Sequence, residues 1–347
     1  MHLFLNEISP KKHQVEIVYG EEMMKRLYIV IIVVLVFSAC TQSSLQKKEI
    51  EEQKPLNTIT QTSIILLGTL QDGGSPHAGC KKNCCKNLFQ NPDPTRKVVS
   101  LGIIDPENKK SFLFEATPDL PTQMKQLKNL SSFAEKETPD GIFLTHAHIG
   151  HYAGLMFLGK EAMSAKETRV YAMPRMKVFL EQNGPWQQLV TLNNISLQPL
   201  QDSVTVQLTP NITVMPFTVP HRDEYSETVG YTIKGTNKTA LFIPDIDKWE
   251  KWDTDVITAI TKVDYAFIDA TFYDGEELNN RDISQIPHPF VVESMEKFKH
   301  LSAAEKDKIY FIHFNHTNPL LNLQSEQAKT VLANGFHIAE YGMVLGL

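Results

Sequence analysis

The sequence predicts an α/β fold in which two mixed β-sheets are flanked by helices. Short apolar runs typical of buried strands alternate with amphipathic segments from about residue 62 onward. Many strands with interspersed helices favour two sheets over a single regular doubly wound sheet. The stretch from residue 62 to residue 347 is long enough to build a large core within one domain.

Each strand is predicted from a short run rich in apolar and β-branched residues. Strands are predicted at residues 63–68, 98–104, 111–115, 142–145, 170–173, 213–219, 229–233, 240–243, 265–269 and 309–312. Helices are predicted at residues 118–130, 152–162, 174–182, 290–300 and 324–333. Two of the helices open on a proline, Pro118 or Pro174, which the first turn of a helix tolerates.

The residues that precede the domain are predicted to direct the protein to a membrane. Residues 24–39 resemble a bacterial lipoprotein signal peptide, because a basic start and the apolar stretch 27–37 precede Cys40. Cleavage before Cys40 and lipid on its sulfur would anchor the protein in the cell envelope, in the periplasm or at the outer membrane. An uncleaved anchor is the alternative, although the apolar stretch is shorter than the roughly 20 residues that a spanning helix needs.

Two further segments outside the domain are predicted from composition. Residues 1–23 fit neither a signal nor a fold and are interpreted as a non-native extension before the true start at Met24. Residues 40–61 are polar and poor in large apolar side chains, which is typical of a solvated tether.

The charge of the chain gives no indication of a nucleic-acid partner. The formal net charge is −6, and we find no basic tract interleaved with aromatic residues. A small-molecule substrate is therefore expected.

Three histidines lie within six residues directly after the apolar run 141–144. His146, His148 and His151 follow a predicted strand, on a loop that can direct several imidazoles inward as a regular strand cannot. Neutral imidazole suits zinc, iron and manganese. A surface histidine cluster is the alternative, but surface clusters rarely follow a buried strand and precede an apolar helix.

Three more potential metal ligands stand at the ends of apolar runs. His221, Asp245 and His313 each come directly or closely after a predicted strand. Each one alone is more often a turn former or a satisfied polar residue. Together with the histidine loop they form an ordered series of ligands at strand ends, which predicts a metal site.

These residues resemble the motifs of the metallo-β-lactamase superfamily, and the resemblance covers the chain from residue 64 onward. It implies an αββα sandwich with a metal site at one edge, between the sheets, that holds one or two divalent metals (zinc, or iron or manganese). The ligands that it implies for one metal are His146, His148 and His221. Those that it implies for the other are His151, Asp245 and His313, with Asp245 bridging both metals.

The chain departs from the motif of the superfamily at one position. Gly150 stands where the motif His-x-His-x-Asp-His has an aspartate that ligates the second metal and orients the nucleophilic water. Loss of that carboxylate removes both a bond and a compensating charge, so the second metal is expected to be held more weakly or differently.

A cysteine cluster follows the predicted first strand. Cys80, Cys84 and Cys85 suit a structural zinc with a fourth ligand from elsewhere, and a disulfide is the alternative in an oxidising envelope. The cluster and the stretch 313–319 resemble the branch that includes the pyrroloquinoline-quinone biosynthesis protein B and the phosphodiesterase of phosphonate breakdown. That resemblance implies His316 as the fourth zinc ligand.

Acid–base chemistry is predicted for a third group of residues. The stretch 265–272 resembles a segment of the transfer-RNA 3′-processing nucleases, in which an acidic residue works with a later histidine. By this likeness Asp269 and His288 form a pair that donates a proton to a leaving group. A rigid proline-flanked helix entry is the alternative role for His288. Asp72 either faces the site or serves as a turn residue before two glycines.

The sequence leads to one preferred function and two alternatives. The preferred function is a metal-dependent hydrolase of a phosphodiester, ester or lactone, in which Asp245 holds the metal and accepts a proton from water. The first alternative is an iron-dependent oxidoreductase related to the quinone-biosynthesis protein, which the missing carboxylate favours. The second is a non-catalytic metal-binding lipoprotein.

Overall fold

The computed structural model describes residues 59–278 and 286–347. The strands are β1 (Ser63–Gly68), β2 (Ser100–Asp105), β3 (Lys110–Phe114), β4 (Gly141–Phe143), β5 (Thr168–Ala172), β6 (Ile195–Pro199), β7 (Val206–Thr209), β8 (Ile212–Thr218), β9 (Val229–Lys234), β10 (Thr239–Ile243), β11 (Tyr265–Asp269), β12 (Ile309–Ile312), β13 (His337–Ile338) and β14 (Val344–Gly346). They form two seven-stranded sheets, in the orders β14-β1-β2-β3-β4-β5-β6 and β13-β12-β11-β10-β9-β8-β7.

Both sheets are mixed, as the sequence predicts. In the first sheet, β14, β1, β2 and β3 pair antiparallel, whereas β3, β4, β5 and β6 pair parallel. In the second sheet, β7 to β10 pair antiparallel, and β10 to β13 pair parallel. The parallel strands end at one edge of each sheet, and the loops after β4, β10 and β12 carry the predicted metal ligands other than His221. His221 follows β8, which pairs antiparallel with β7 and β9.

The helices lie between the strands along the chain. They are α1 (Asn83–Lys86), α2 (Leu120–Leu130), α3 (Ile149–Tyr152), α4 (Pro174–Gln182), α5 (Trp186–Thr191), α6 (Val256–Thr261), α7 (Val291–Lys297), α8 (Ala303–Lys306) and α9 (Glu326–Ala333). Short 3-10 helices occur at Ala153–Leu158, Trp249–Lys251, Gly275–Leu278 and Pro319–Leu321.

The alternation of side chains along each strand builds three apolar layers. In β3, Phe112 and Phe114 face the layer between the sheets, whereas Leu113 faces the helices outside the first sheet. In β10, Phe242 faces the same inner layer and Leu241 faces the helices outside the second sheet. The order of layers is therefore helix, sheet, sheet and helix, which confirms the predicted αββα sandwich.

The helix predicted at residues 152–162 is different in the structure. It starts earlier, as α3, and continues as the 3-10 helix Ala153–Leu158. The amide of Gly154 donates to the carbonyl oxygen of Ala116 at 2.8 Å, so it cannot take part in an α-helical ladder. A Cβ on Gly154 would lie 2.0 Å from the carbonyl oxygen of Thr117, which shows how closely this turn approaches the loop after β3.

The predicted extension, the predicted signal with Cys40 and most of the predicted tether lie outside the described residues. Within residues 59–278 and 286–347, no helix combines the length and the apolar character that a membrane crossing requires.

Candidate metal centre

The predicted ligands come together at one edge of the sandwich. The histidine loop follows β4, His221 follows β8, and Asp245 follows β10. Asp269 ends β11, and His313 follows β12. Both sheets thus contribute side chains to one cluster, at the edge where the parallel strands end.

Four residues form a first ligand set, in which atoms able to bind a metal lie within 4.8 Å of one another: His146, His148, His221 and Asp245. Nε2 of His146 lies 3.4 Å from Oδ2 of Asp245, and Nε2 of His221 lies 3.2 Å from Oδ1 of the same carboxylate. Nδ1 of His148 lies 3.3 Å from Nε2 of His221. This set contains all three histidines predicted for one metal and the predicted bridging aspartate.

Asp245 also belongs to a second set, whose potential ligand atoms again lie within 4.8 Å of one another: Asp245, Asp269, His288 and His313. Nδ1 of His288 lies 2.8 Å from Oδ2 of Asp269 and 3.2 Å from Oδ1 of Asp245. Asp269 and His288, the predicted proton-donating pair, are therefore part of the cluster. Their position would also allow them to bind a metal.

His151 lies at the border of the two sets. Its Nε2 is 3.8 Å from Oδ2 of Asp245, and its ring centroid is 5.4 Å from that of His313. The ring is fully buried. His151 is therefore near Asp245 and His313, the residues predicted with it for the second metal, but it belongs to neither ligand set.

Neighbouring side chains hold one ring nitrogen of most of these histidines. Partners of the Nδ1 atoms are Oγ1 of Thr145 for His146 (2.9 Å), Asp247 for His221 (3.1 Å) and Oγ1 of Thr271 for His313 (2.9 Å). Nδ1 of His151 lies 3.5 Å from Oε1 of Glu115 without a hydrogen bond. A partner on one ring nitrogen fixes the ring and leaves the other nitrogen for a metal. His148 is turned the opposite way, with Nε2 3.7 Å from Oε2 of Glu224.

Buried atoms without hydrogen-bond partners show that the residues fit a metal. These atoms are Nε2 of His146, Nε2 of His151, Nε2 of His313 and Oδ1 of Asp245. Buried polar atoms are normally satisfied, so four such atoms in one cluster call for a shared partner. Imidazole nitrogen and carboxylate oxygen are donors that zinc, iron and manganese accept.

The protonation states of the cluster differ from residue to residue. Burial and the neighbouring His151 hold the pKa of His146 well below its ordinary value, so that ring is neutral. Burial raises the pKa of Asp245, but His221, His288 and His313 outweigh it and hold that pKa well below its usual range. His146 is therefore a neutral imidazole beside an ionised carboxylate. Burial lowers the pKa of His221, but Asp245 and Asp247 outweigh it and raise that pKa to about 9, so a metal would displace a proton from this ring.

His151 experiences several acidic neighbours. Burial lowers its pKa, but the carboxylates of Glu115, Asp245 and Asp72 together raise it above the ordinary value. Asp72, which the sequence leaves between a site role and a turn role, is thus close enough to act on this ring.

Two residues of the site have a positive φ, which is unusual for any residue other than glycine. His313 has φ of 68° and Glu115 has φ of 77°, and both are fully buried. Such conformations are sparsely populated and persist where the surrounding structure imposes them, often at functional sites.

The cysteine cluster forms a separate potential metal site. Sulfurs of Cys80, Cys84 and Cys85 and a ring nitrogen of His316 lie within 4.8 Å of one another. All three cysteines are free, and Sγ of Cys80 is 3.7 Å from Sγ of Cys84. Burial, followed by His77 and Lys82, lowers the pKa of His316 to about 4, so this ring is neutral and able to ligate.

Several residues that support the two sites are not among those predicted from the sequence. His77 stacks on His316 with ring centroids 4.5 Å apart, and its amide donates to Sγ of Cys85 at 3.3 Å. Glu115 is fully buried beside His151, and a glutamate at the end of an apolar strand is the signal that identifies it. Thr145 and Thr271 are hydroxyl residues within two positions of a ligand, which is also recognisable in the sequence.

Comparison with known proteins is consistent with this geometry. Residues 110–314 match the family model described as the beta-lactamase superfamily domain. Over 310 residues the chain is 22% identical to the coenzyme PQQ synthesis protein B of Methylorubrum extorquens (strain PA1), covering 82% of this chain and 99% of that protein. It is 26% identical to the protein of the same name from Xanthomonas oryzae pv. oryzae (strain MAFF 311018), with the same coverage.

Solved structures share the fold. Zn(2+)-bound PqqB from Methylobacterium extorquens superposes with a TM-score of 0.67 at 21% identity, covering 82% of this chain and 100% of that one. A diphosphatase from the PhnP family superposes with a TM-score of 0.58 at 19% identity, covering 82% and 96%. At this level of identity the likeness shows a common fold.

Proposed function

The chain belongs to the beta-lactamase superfamily, and from that premise we propose that it is a metal-dependent hydrolase of a phosphodiester, ester or lactone. One observation carries the proposal: buried imidazole and carboxylate atoms without partners converge beside the hydrogen-bonded pair of Asp269 and His288. Ligand atoms and a proton donor at one edge are what metal-assisted hydrolysis requires.

The residues that would hold metal are His146, His148 and His221 at one position and His151 and His313 at the other, with Asp245 common to both. When bound there, a divalent cation supplies a water of lowered pKa and stabilises a developing oxyanion. Asp245, which belongs to both sets, would bridge them and accept a proton from water.

His288 would deliver the proton that the leaving group needs. Asp269 holds its Nδ1, so the ring keeps one orientation. The side chain of His288 is 11% exposed, whereas those of His151 and His313 are fully buried. His288 is thus one of the imidazoles of the cluster that a substrate can reach.

The rim of the site favours a substrate with an apolar part. Ile149, directly after His148, is 67% exposed, and Tyr225, directly after Glu224, is 63% exposed. The two residues that precede them, His148 and Glu224, contact one another, with Nε2 of His148 3.7 Å from Oε2 of Glu224. Burial of such groups by a ligand stabilises the complex through removal of apolar area from water.

The test is turnover by the metal-loaded protein. The protein, loaded in turn with zinc, manganese or iron, is assayed on a chromogenic phosphodiester, a carboxylic ester and a lactone. The matched control is a His146→Ala/His148→Ala variant. Cleavage of at least one substrate that the control lacks supports the proposal, and no cleavage of any substrate under any loading refutes it.

An iron-dependent oxidoreductase is the second candidate, and Gly150 favours it. The superfamily motif for hydrolysis has a carboxylate at that position, and this chain has none. Iron in the purified protein together with substrate-dependent oxygen consumption would support oxidation. Metal binding without turnover in either assay would leave a metal-binding protein without catalysis.

We also propose that the protein acts at the cell envelope, attached through lipid on Cys40. The lipoprotein-like segment 24–39 supports this location. Incorporation of a labelled fatty acid into the protein, and its loss in a Cys40→Ser variant, is the expected result. Equal labelling of both proteins would contradict it.

A further inference from the structure

Asp72 occupies the space in which a side chain on residue 150 would begin. A Cβ on Gly150 would lie 2.1 Å from the Cβ of Asp72, 2.5 Å from its Cα and 2.7 Å from its carbonyl oxygen. Real Cβ atoms do not approach other atoms so closely, so the glycine at position 150 is a condition for Asp72 to be where it is. The two side chains would start from nearly the same point.

The loop that carries Asp72 is fixed to the element that carries a metal ligand. The amide of Gln71 donates to the carbonyl oxygen of Phe314 at 2.8 Å, one residue after His313. The amide of Gly74 closes the turn by donating to the carbonyl oxygen of Gln71 at 2.9 Å. Asp72 is therefore held between the histidine loop and the loop after β12, beside the second ligand set.

The carboxylate of Asp72 is available to bind a metal ion. Within residues 59–278 and 286–347 it makes no hydrogen bond and has no cationic or imidazole nitrogen within 4.0 Å, and Asp72 is partly buried and lies outside the two ligand sets. Nε2 of His151, the residue directly after Gly150, is buried without a hydrogen-bond partner. A free carboxylate next to an unpartnered imidazole is a combination that a divalent cation can bridge.

We propose that Asp72 supplies, from the loop after β1, the carboxylate that position 150 lacks, and that it serves the second metal position together with His151, Asp245 and His313. The inference rests on the proposed metal-dependent function. With Asp72 as a ligand, the second metal position would have the same negative charge as one with an aspartate at position 150. The two carboxylates would extend from Cβ atoms at nearly the same place. Compared with the superfamily motif, the carboxylate ligand would then come from the loop after β1 and not from the histidine loop.

The test is the binding of Mn²⁺ to the apo cluster, followed by electron paramagnetic resonance. Manganese favours oxygen and imidazole donors over thiolates, so the cysteine cluster does not contribute to the signal. The parent is expected to bind two Mn²⁺ ions at the edge of the sheets. Asp72→Asn keeps the size of the side chain and is expected to lower the affinity for one of the two ions by roughly 10- to 100-fold, a range typical for loss of an interaction at a metal site.

Asp253→Asn is the matched control, since Asp253 is exposed and makes no hydrogen bond or ion pair within the described parts of the chain. It is expected to bind both ions like the parent. Circular dichroism establishes that each variant is folded. Unchanged affinity for both ions in Asp72→Asn would overturn the inference, as would a parent that binds a single ion.

These outcomes are separable from the fate of the proposed hydrolase. Two ions, one of which depends on Asp72, with no turnover on any substrate would refute hydrolysis and leave the role of Asp72 intact. Turnover in a parent whose Mn²⁺ binding is the same in Asp72→Asn would leave hydrolysis intact and overturn the role of Asp72.

Discussion

Nδ1 of His288 lies 2.8 Å from Oδ2 of Asp269, at the end of β11. Asp269 is itself held, since Oδ1 accepts from the amide of Thr271 at 2.9 Å and Oδ2 accepts from the amide of Ile246 at 3.1 Å. A carboxylate fixed by backbone donors can hold an imidazole in one orientation. This relationship connects a sequence likeness to a specific chemical role.

His288→Gln is expected to lower kcat by about 10²- to 10⁴-fold, the usual contribution of a proton donor, while the metal content stays unchanged. The reason is that glutamine cannot deliver a proton at neutral pH. Parallel kinetic and elemental analysis of the variant checks this. Loss of metal would instead identify His288 as a ligand, a role that its distance of 3.2 Å from Asp245 also allows.

Thr271→Val is expected to weaken metal binding by about 10- to 100-fold, because Oγ1 of Thr271 contacts Nδ1 of His313 at 2.9 Å and Oδ1 of Asp269 at 2.7 Å. Thr271→Ser keeps the hydroxyl and should retain most of the affinity. Titration with a competing chelator compares the two. Equal weakening in both variants would contradict this account, because the hydroxyl that Thr271→Ser retains would then give no advantage.

Gly150→Ala is expected to lower the free energy of unfolding by about 1–3 kcal/mol, the range for overpacking, because its Cβ would overlap Asp72. Gly79→Ala is the matched control, since a Cβ there meets nothing within 4 Å. Chemical denaturation of both variants provides the measurement. A Gly150→Ala protein as stable as Gly79→Ala would show that the contact with Asp72 is loose.

Zinc binding at the cysteine cluster is expected to strengthen as the pH rises. Burial, together with Cys80 and Cys85, raises the pKa of Cys84 to about 12 in the absence of metal, so zinc must displace a proton from this thiol. Each displaced proton makes the affinity rise by about tenfold per pH unit below that pKa. Competition with a chelator at pH 6, 7 and 8 measures the slope, and a flat profile would rule out Cys84 as a thiolate ligand.

Most of the fold is predictable because strands of this protein are buried on both faces. The apolar runs of β1, β11 and β12 give their bounds directly, since a continuous apolar segment between polar residues has one interpretation at this length. β6 and β7 were not predicted, because they are partly exposed and contain polar residues. Their strand conformation depends on pairing at the edges of the sheets, which a local pattern does not contain.

The site is predictable to the extent that its ligands sit at strand ends. His221, Asp245 and His313 are recognisable in this way, and the structure brings them into one cluster. The position of Asp72 beside Gly150 joins residues that are far apart in the chain, and it depends on the hydrogen bond between Gln71 and Phe314. No local pattern contains that contact.

The most direct test of the account is elemental analysis of the purified protein beside its His146→Ala/His148→Ala and Cys84→Ala/Cys85→Ala variants. The account predicts a transition metal that disappears in the first variant and zinc that disappears in the second, which would establish two distinct sites. Zinc or manganese in the first site would agree with the hydrolase, and iron would move the conclusion to the oxidoreductase. A parent protein that holds no metal, even after reconstitution, would contradict the account.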